Sequence, residues 1–181
     1  MQGAGGSGPT TLVRDQSNGS NGSVVGLQPD QHPSQSFTVG RTGILAGIAA
    51  PMFRYDAAAT GDAIKLTLYR CSTVDVCGTA VVATATISAA SLSTTFPAAT
   101  PQPGGPGYFD LSAATLAVAD GQIYRFRLDP ETGTERKDFG VLATSDDAYA
   151  RGLLFSQIAE SDSPFLFASG WDLTFATFVL Q

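Results

Sequence analysis

Apolar and polar residues alternate along the chain from residue 35 onward. Segment 64–69 has an aliphatic residue at every second position, and segment 122–128 repeats this pattern with aromatic residues included. A period of two residues is typical of a β-strand that buries one face. Pro51 interrupts one run, which indicates an edge position or a bulge there. The pattern predicts strands over residues 35–39, 44–55, 64–69, 79–87, 108–111, 122–128, 137–144, 150–155 and 172–180.

Turn-forming residues separate these segments, and no long helix fits between them. Asp120 and Gly121 form a turn signature, and residues 88–107, which are rich in Ser, Thr, Pro and Gly, predict a long loop. The best helical candidate, 89–95, is short and contains several Ser and Thr residues. Many short strands joined by turns predict an all-β protein, namely an antiparallel two-sheet β-sandwich or jelly roll.

The first 34 residues differ in composition from the rest of the chain. Gly, Ser and Thr are frequent in the first ten residues, and residues 17–23 form a polar tract that cannot bury apolar surface. Segment 11–14 has the composition of a short strand. We therefore predict an extended Gly/Ser-rich N-terminal arm or linker over residues 1–34, and a β-sandwich domain over residues 35–181.

Net charge and hydropathy restrict which binding partners and which cellular locations we expect for this protein. The 181 residues have a net charge of -6, so a nucleic acid or an anionic membrane is not an expected partner. No run of about 18 apolar residues is present, so we expect no membrane insertion. The first residues also lack the basic start and apolar run of a signal peptide. Either a signal has been removed, or the protein reaches its destination without one, as a virion component released by cell lysis does.

The two cysteines predict a disulfide. Cys71 and Cys77 lie in a short polar link between two predicted strands, a spacing that suits a bond across the mouth of a hairpin loop. Two free thiols are the alternative. A zinc site is not expected, because structural zinc takes four ligands and the only histidine, His32, is far away along the chain. Disulfides are typical of oxidising compartments, so we expect an extracellular or cell-surface protein, with a virion surface as the alternative.

The sequence lacks the residue patterns of common enzymes. A Ser or Cys nucleophile needs a base, and the one imidazole belongs to His32, which we interpret as a surface loop residue. Hydrolase, metalloprotease and nucleotide-binding motifs are absent. Glycoside hydrolysis needs only two carboxylates, but Glu131, Glu135 and Glu160 all lie in turn-like segments. We therefore expect a protein that is not an enzyme.

Aspartates outnumber glutamates by 13 to 3. Asp closes turns by hydrogen bonding to its own backbone, which accounts for most of them. The alternative role is calcium binding, because calcium takes carboxylates from loops, and the adjacent pair Asp146 and Asp147 is then the candidate metal site. No EF-hand spacing supports this site, so we expect no cofactor, with one Ca²⁺ at the pair as the alternative.

Three segments carry a resemblance to a known kind of domain. QSFTVG at 35–40 followed by GIL at 43–45, LAVADGQIY at 116–124 and WDLTFATFV at 171–179 resemble secreted bacterial jelly-roll β-sandwich domains. These domains are similar to carbohydrate-binding modules and occur in cell-surface anchored proteins. The resemblance covers residues 35–180 and implies architecture more than chemistry. Many such domains have a Tyr-x-Gly-Gly turn before the last strands, where this chain has YARG at 149–152.

The candidate ligand-binding residues lie near the end of the chain. An aromatic platform with polar neighbours is the usual sugar site of such a sandwich, because the C–H face of a sugar ring packs on a flat ring. We predict that Trp171, Tyr149, Arg151 and Asp172 form this site. The alternative is that Trp171 caps the core and Tyr149 packs on the sheet.

Two functional hypotheses follow from these features. The first is a non-enzymatic module that binds a glycan or another surface polymer in adhesion. The second is a structural subunit of an extracellular assembly, such as a surface fibre or a virion decoration, whose copies contact one another through the N-terminal arm. The contacts of the arm discriminate between them, because an arm packed on its own chain favours the module.

Overall fold

The computed structural model describes residues 10–19, 22–97, 100–131, 139–157, 164–167 and 170–181. These residues form β-strands and three short 3-10 helices, at Ala59–Gly61, Ala89–Ser91 and Ser112–Ala114, with no α-helix among them. The predicted all-β class is therefore confirmed. The strands are β1 (Leu12–Asn18), β2 (Ser23–Leu27), β3 (Ser34–Thr38), β4 (Gly43–Ala49), β5 (Met52–Arg54), β6 (Ala63–Cys71), β7 (Cys77–Ser88), β8 (Tyr108–Asp110), β9 (Ala117–Val118), β10 (Ile123–Pro130), β11 (Phe139–Thr144), β12 (Leu154–Ser156), β13 (Phe165–Leu166), β14 (Asp172–Leu173) and β15 (Phe175–Leu180).

One layer of the sandwich is a six-stranded sheet in the order β13-β12-β3-β10-β6-β7. All of its pairings are antiparallel. In its centre Phe126 of β10 lies opposite Gln35 of β3 on one side and Leu68 of β6 on the other. The alternating residues of β6 and β10 fit this position, because one face of each strand points into the core.

The second layer consists of two smaller sheets, which are connected by bends in the chain. One has the order β1-β15-β4-β8 with β9 beside β4, and the other has the order β14-β11-β2 with β5 beside β11. Pro51 lies at one bend. Before it, β4 pairs with β15, and after it the chain continues as β5, which pairs with β11. Thr174 lies at the other bend, between β14 and β15. The predicted interruption at Pro51 is thus a change of strand partner.

Aromatic rings join the two layers in the core. Phe37 and Phe126 project from the six-stranded sheet, and Phe175 projects from the second layer. Their ring centroids are 5.8 to 6.4 Å apart, and none of the three side chains is exposed. Each fully buried ring of this size stabilises the fold by roughly 2 to 3 kcal/mol relative to exposure. The core therefore depends on contact between the layers.

The N-terminal residues differ from the predicted arm over 1–34. β1 pairs with β15, and β2 pairs with β11, so both are strands of the second layer. Val25 and Leu27 are buried members of the core. Ser17 and Asn18 of the polar tract end β1 and Ser23 begins β2, and the short apolar run after Ser23 supplies the buried face. Residues 1–9 lie outside the described residues.

The predicted disulfide is present. Cys71 ends β6, Cys77 begins β7, and the bond between them closes the loop of this hairpin. A disulfide is typical of a protein that folds in an oxidising compartment. The described residues contain no helix long and apolar enough to cross a membrane.

Candidate ligand-binding cleft

Asp172 is a buried hydrogen-bond acceptor rather than a surface residue. Its carboxylate accepts one bond from Gln35 Nε2 at 2.9 Å and one from the backbone N–H of Tyr149 at 3.0 Å. The Gln35 side chain accepts in turn from the backbone N–H of Leu173 at 2.9 Å. Burial raises the pKa of Asp172, although both hydrogen bonds to the carboxylate oppose that shift. These contacts connect β3, β14 and the segment before β12.

Tyr149 is also buried, with 6% of its surface exposed. Its ring meets the ring of Phe175 edge-on, with the centroids 4.9 Å apart. The hydroxyl donates to Gln16 Oε1 at 3.2 Å and accepts from the backbone N–H of Thr38 at 3.3 Å. Burial raises the pKa of Tyr149 to about 12. This side chain therefore connects the core to β1 and β3.

The other two predicted binding residues lie nearer the surface. Arg151 is exposed, and its Nη1 donates to the same Gln16 Oε1 at 3.5 Å. Trp171 is partly buried against the core and meets the ring of Phe167 edge-on at 5.4 Å. The structure thus brings Tyr149 and Arg151 together at Gln16, whereas Trp171 contacts a different aromatic residue. A ligand role for these residues stays a prediction.

Asp146 and Asp147 lie exposed in the turn after β11. The hydroxyl of Thr144 donates to the Asp146 carboxylate, and the backbone N–H of Asp147 donates to the carbonyl of Gly170 at 2.7 Å. Asp147 has a positive φ of 50°, a conformation that Asp tolerates in turns. Within the described ranges, no group of three or more His, Cys, Asp or Glu residues is arranged to hold a metal ion. The calcium site stays a prediction.

A cleft of about 380 Å³ opens between the β2–β3 link and strands β12 and β13. Gln28 and Gln31 exchange backbone hydrogen bonds at 3.0 and 3.1 Å, which makes a tight turn with Asp30 near its tip. On the opposite wall Phe165 is 46% exposed. The cleft therefore combines side-chain amides, a carboxylate and a hydroxyl with aromatic rings. Its lining residues are Gln28, Asp30, Gln31, Ser156, Phe165 and Phe167.

A buried polar network anchors the chain directly after this turn. His32 Nδ1 lies 2.9 Å from Asp129 Oδ1, and Arg127 Nε lies 2.9 Å from the same oxygen. Arg127 also donates to Gln157 Oε1 at 3.2 Å, while the backbone N–H of His32 donates to the Gln157 carbonyl at 2.9 Å. The interpretation of His32 as a surface residue is wrong, because it is only 4% exposed. The network fixes one wall of the cleft to β10 and to the end of β12.

Trp171 is not among the residues that line this cleft, but it contacts one of them. Phe167, which lines the cleft, lies against the indole ring of Trp171. The sequence therefore pointed to the neighbourhood of the cleft but not to its lining. Phe165 and Phe167 have the alternating pattern of a strand and carry no local sign of exposure. Gln28 and Gln31 carry no sign of chemistry either, since glutamine is common on any surface.

A second aromatic surface lies far from these residues in sequence. Tyr55 is 58% exposed and Phe96 is 52% exposed, and both rings contact the ring of Phe53, at 4.8 and 5.6 Å. Gly140 makes room for Phe53, because a Cβ there would lie 2.5 Å from that ring. The Arg54 side chain donates to the carbonyls of Leu92 and Ala57, which holds the two exposed segments together.

The chain matches no protein-family model, and a search of curated proteins found no match. The choice between the two aromatic surfaces therefore depends on their geometry. The lining of the cleft includes both hydrogen-bonding side chains and aromatic rings. The second surface offers mainly rings, with the hydroxyls of Ser93 and Thr95 bonded to each other at 2.7 Å. The cleft is the better candidate for a ligand that is both polar and ring-shaped.

Proposed function

We propose that this chain is a non-enzymatic β-sandwich module that binds a glycan or another surface polymer outside the cell. The cleft carries this proposal, because Phe165 and Phe167 line it together with Gln28 and Gln31. Sugar rings have apolar C–H faces that pack on aromatic rings and hydroxyls that bond with amides and carboxylates. The volume of about 380 Å³ lies within the usual range of ligand sites.

The charge of the cleft favours a neutral polymer. Among the described residues that line the cleft, Asp30 is the one charged group, and the whole chain has a net charge of -6. A polyanion would meet repulsion from both, whereas neutral hydroxyls would find a carboxylate acceptor. We therefore expect neutral polysaccharides to bind more tightly than uronic or sulfated ones.

Two further observations favour a binding module over a structural subunit whose copies contact one another through their N-terminal arms. β1 and β2 pair with β15 and β11 of their own chain, so residues 12–18 and 23–27 are already used within the fold. The disulfide supports an oxidising compartment, consistent with an extracellular or cell-surface location. A subunit of a surface fibre or virion decoration remains the alternative, and its contacts would then use another part of the chain.

Binding to a panel of polysaccharides, followed by titration calorimetry on the best ligand, tests the proposal. Phe165→Ala should weaken binding about 10-fold or more, as expected for an aromatic contact residue, without lowering the melting temperature. Tyr55→Ala is the matched control, since it removes an exposed ring from the other aromatic surface. A loss confined to Tyr55→Ala would move the site there, and binding unaffected by both variants would reject both surfaces.

The non-enzymatic part of the proposal needs its own test. The bound polysaccharide should be recovered with its chain length unchanged after prolonged incubation with the protein. Release of new reducing ends, abolished by Asp30→Asn but not by Phe165→Ala, would show instead that the carboxylate of the cleft takes part in hydrolysis.

A further inference from the structure

Strand β7 is a long sheet edge without an observed partner. It runs from Cys77 to Ser88 and pairs with β6 on one side, and no other described strand pairs with its outer edge. Val81 is 53% exposed in the middle of the strand. An open edge presents unpaired backbone N–H and C=O groups that match those of another strand. The chemical partner of this surface is therefore a β-strand.

The edges formed by β1, β8 and β13 carry the features that normally prevent strand pairing. β1, with seven residues, contains the charged Arg14 and Asp15, and its register shifts before Ser17. β8 has three residues and β13 has two. By contrast β7 has 12 residues and no proline, and no charged residue occurs between Asp75 and Asp110. Edge strands normally avoid pairing by being short, charged or bulged. β7 shifts register on both sides of Val81, but its segment from Ala83 to Ser88 pairs regularly with β6 and carries no charge.

The hairpin that carries β7 is held in a fixed register. The disulfide joins the end of β6 to the start of β7. At the other end the pairing is regular from Ala63 opposite Ser88 to Leu68 opposite Ala83. A fixed edge loses less conformational entropy when a second strand docks on it. The register also places Val81 opposite Tyr69 and Thr84 opposite Thr67, on the outer face of the sheet.

We propose that β7 pairs antiparallel with β7 of a second copy of this chain. A two-fold arrangement places the strand opposite itself, so that only small uncharged side chains face one another. The flanks of the strand are locally neutral. Arg70 and Asp75 lie near its start, and Lys65 and Glu131, 3.4 Å apart, lie near its end. Pairing here therefore avoids the like-charge repulsion expected between chains of net charge -6.

The proposed dimer keeps the cleft accessible. β7 is at one end of the six-stranded sheet, while β12 and β13, which border the cleft, are at the other end. Two copies joined through β7 would carry their clefts at opposite ends of one continuous sheet. The pairing itself does not depend on the proposed glycan binding.

Sedimentation equilibrium over a concentration series tests this inference. The wild-type chain should form a dimer, and Val81→Lys and Thr84→Lys should each raise its dissociation constant at least about 10-fold, because edge lysines block strand pairing. Leu166→Lys, which changes an exposed apolar residue of β13 at the opposite end of the sheet, is the matched control and should dimerise like the wild type. All three variants should keep the wild-type melting temperature measured at a concentration where each is monomeric.

Two results would overturn the inference. One is a wild-type chain that stays monomeric at the highest concentration tested, and the other is a dimer that both strand variants leave unchanged. Hydrogen exchange provides a second measurement if a variant fails to fold, since the outward amides of wild-type β7 should gain protection as concentration rises. Protection gained elsewhere but not in β7 would place the interface on another surface.

Discussion

Replacing Tyr149 with phenylalanine separates a structural role for this residue from a role in ligand binding. The hydroxyl bonds Gln16 and the backbone of Thr38, and the ring packs on Phe175. Tyr149→Phe keeps the ring but leaves a partly buried backbone N–H without its acceptor. The free energy of unfolding should fall by about 1 to 2 kcal/mol at neutral pH.

The pH dependence gives this prediction a second, independent part. The pKa of Tyr149 is about 12 in the folded chain and 10.0 ordinarily, so its stabilising effect is complete below pH 10 and is lost as pH rises through 12. Between about pH 9 and 11, these values give a loss of about 1.3 kcal/mol in the wild type. We lower this to about 1 kcal/mol because the hydroxyl is only partly buried. The phenylalanine variant lacks the part of this loss that comes from Tyr149.

Urea unfolding of both proteins at several pH values provides the measurement. The difference in unfolding free energy between wild type and Tyr149→Phe should shrink by about 1 kcal/mol across that range. Tyr108 and Tyr124 also have raised pKa values from burial, but they are present in both proteins and cancel in the difference. Tyr55→Phe, at an exposed position, is the control. If the difference in unfolding free energy stayed constant with pH, the hydroxyl of Tyr149 would not be buried as described. A role for Tyr149 in ligand contact would then be the better interpretation.

Other predictions concern the remaining structural claims. Reducing the disulfide should lower stability by about 2 kcal/mol, as loop closure predicts, and intact mass before and after alkylation without a reductant should show no free thiol. Trp171→Ala should cost about 2 to 3 kcal/mol and Trp171→Phe much less in thermal melts; unchanged stability with lost glycan binding would contradict this. A chain that starts at Thr11 should keep the wild-type melting temperature, whereas one that starts at Gly22 loses β1 and should melt at least about 10 °C lower. Because burial raises the pKa of Asp172 above 3.8, its contribution to stability should fall as pH rises from about 4, and Asp172→Asn should remove this dependence in acid unfolding curves.

The sequence predicted those strands whose pattern arises from one buried face. β6 and β10 lie in the middle of a sheet, so their alternating residues separate cleanly between core and outer face. The disulfide was also predictable, since its two cysteines lie six residues apart in one hairpin. In both cases the information is local, because neighbours in the chain are also neighbours in space.

The N-terminal strands could not be predicted in the same way. β1 contains Arg14, Asp15 and Gln16, and its polar side chains find partners only after the chain has folded. Asp15 accepts from the backbone N–H of Gly40, and the backbone N–H of Gln16 donates to Thr177. These partners come from distant parts of the chain, so no local pattern reveals them. A polar segment can therefore be a strand when its hydrogen bonds are satisfied by tertiary contacts.

The cleft was missed for a related reason. Its walls come from the β2–β3 link and from β12 and β13, which are brought together by the pairing of β3 with β12. The aspartate that holds His32 lies on β10, in an otherwise regular strand. Only the strand register shows that these residues meet. Sequence reasoning found the aromatic region near Trp171 because an isolated tryptophan is conspicuous.

Two buried polar networks give the loops of this sandwich fixed positions. The network of Asp172 with Gln35 holds the segment around Tyr149, and the network of Asp129 with His32 holds the turn beside the cleft. Replacing buried charged groups by apolar residues of similar size is often neutral or stabilising, so we expect these carboxylates to act mainly by selecting one arrangement of their partners. Since the turn from Gln28 to Gln31 forms one wall of the cleft, holding the chain after it keeps the amides in place before a ligand arrives. That preorganisation reduces the entropy lost on binding, which is the physical reason to expect a binding site at the cleft rather than at the exposed rings of Tyr55 and Phe96.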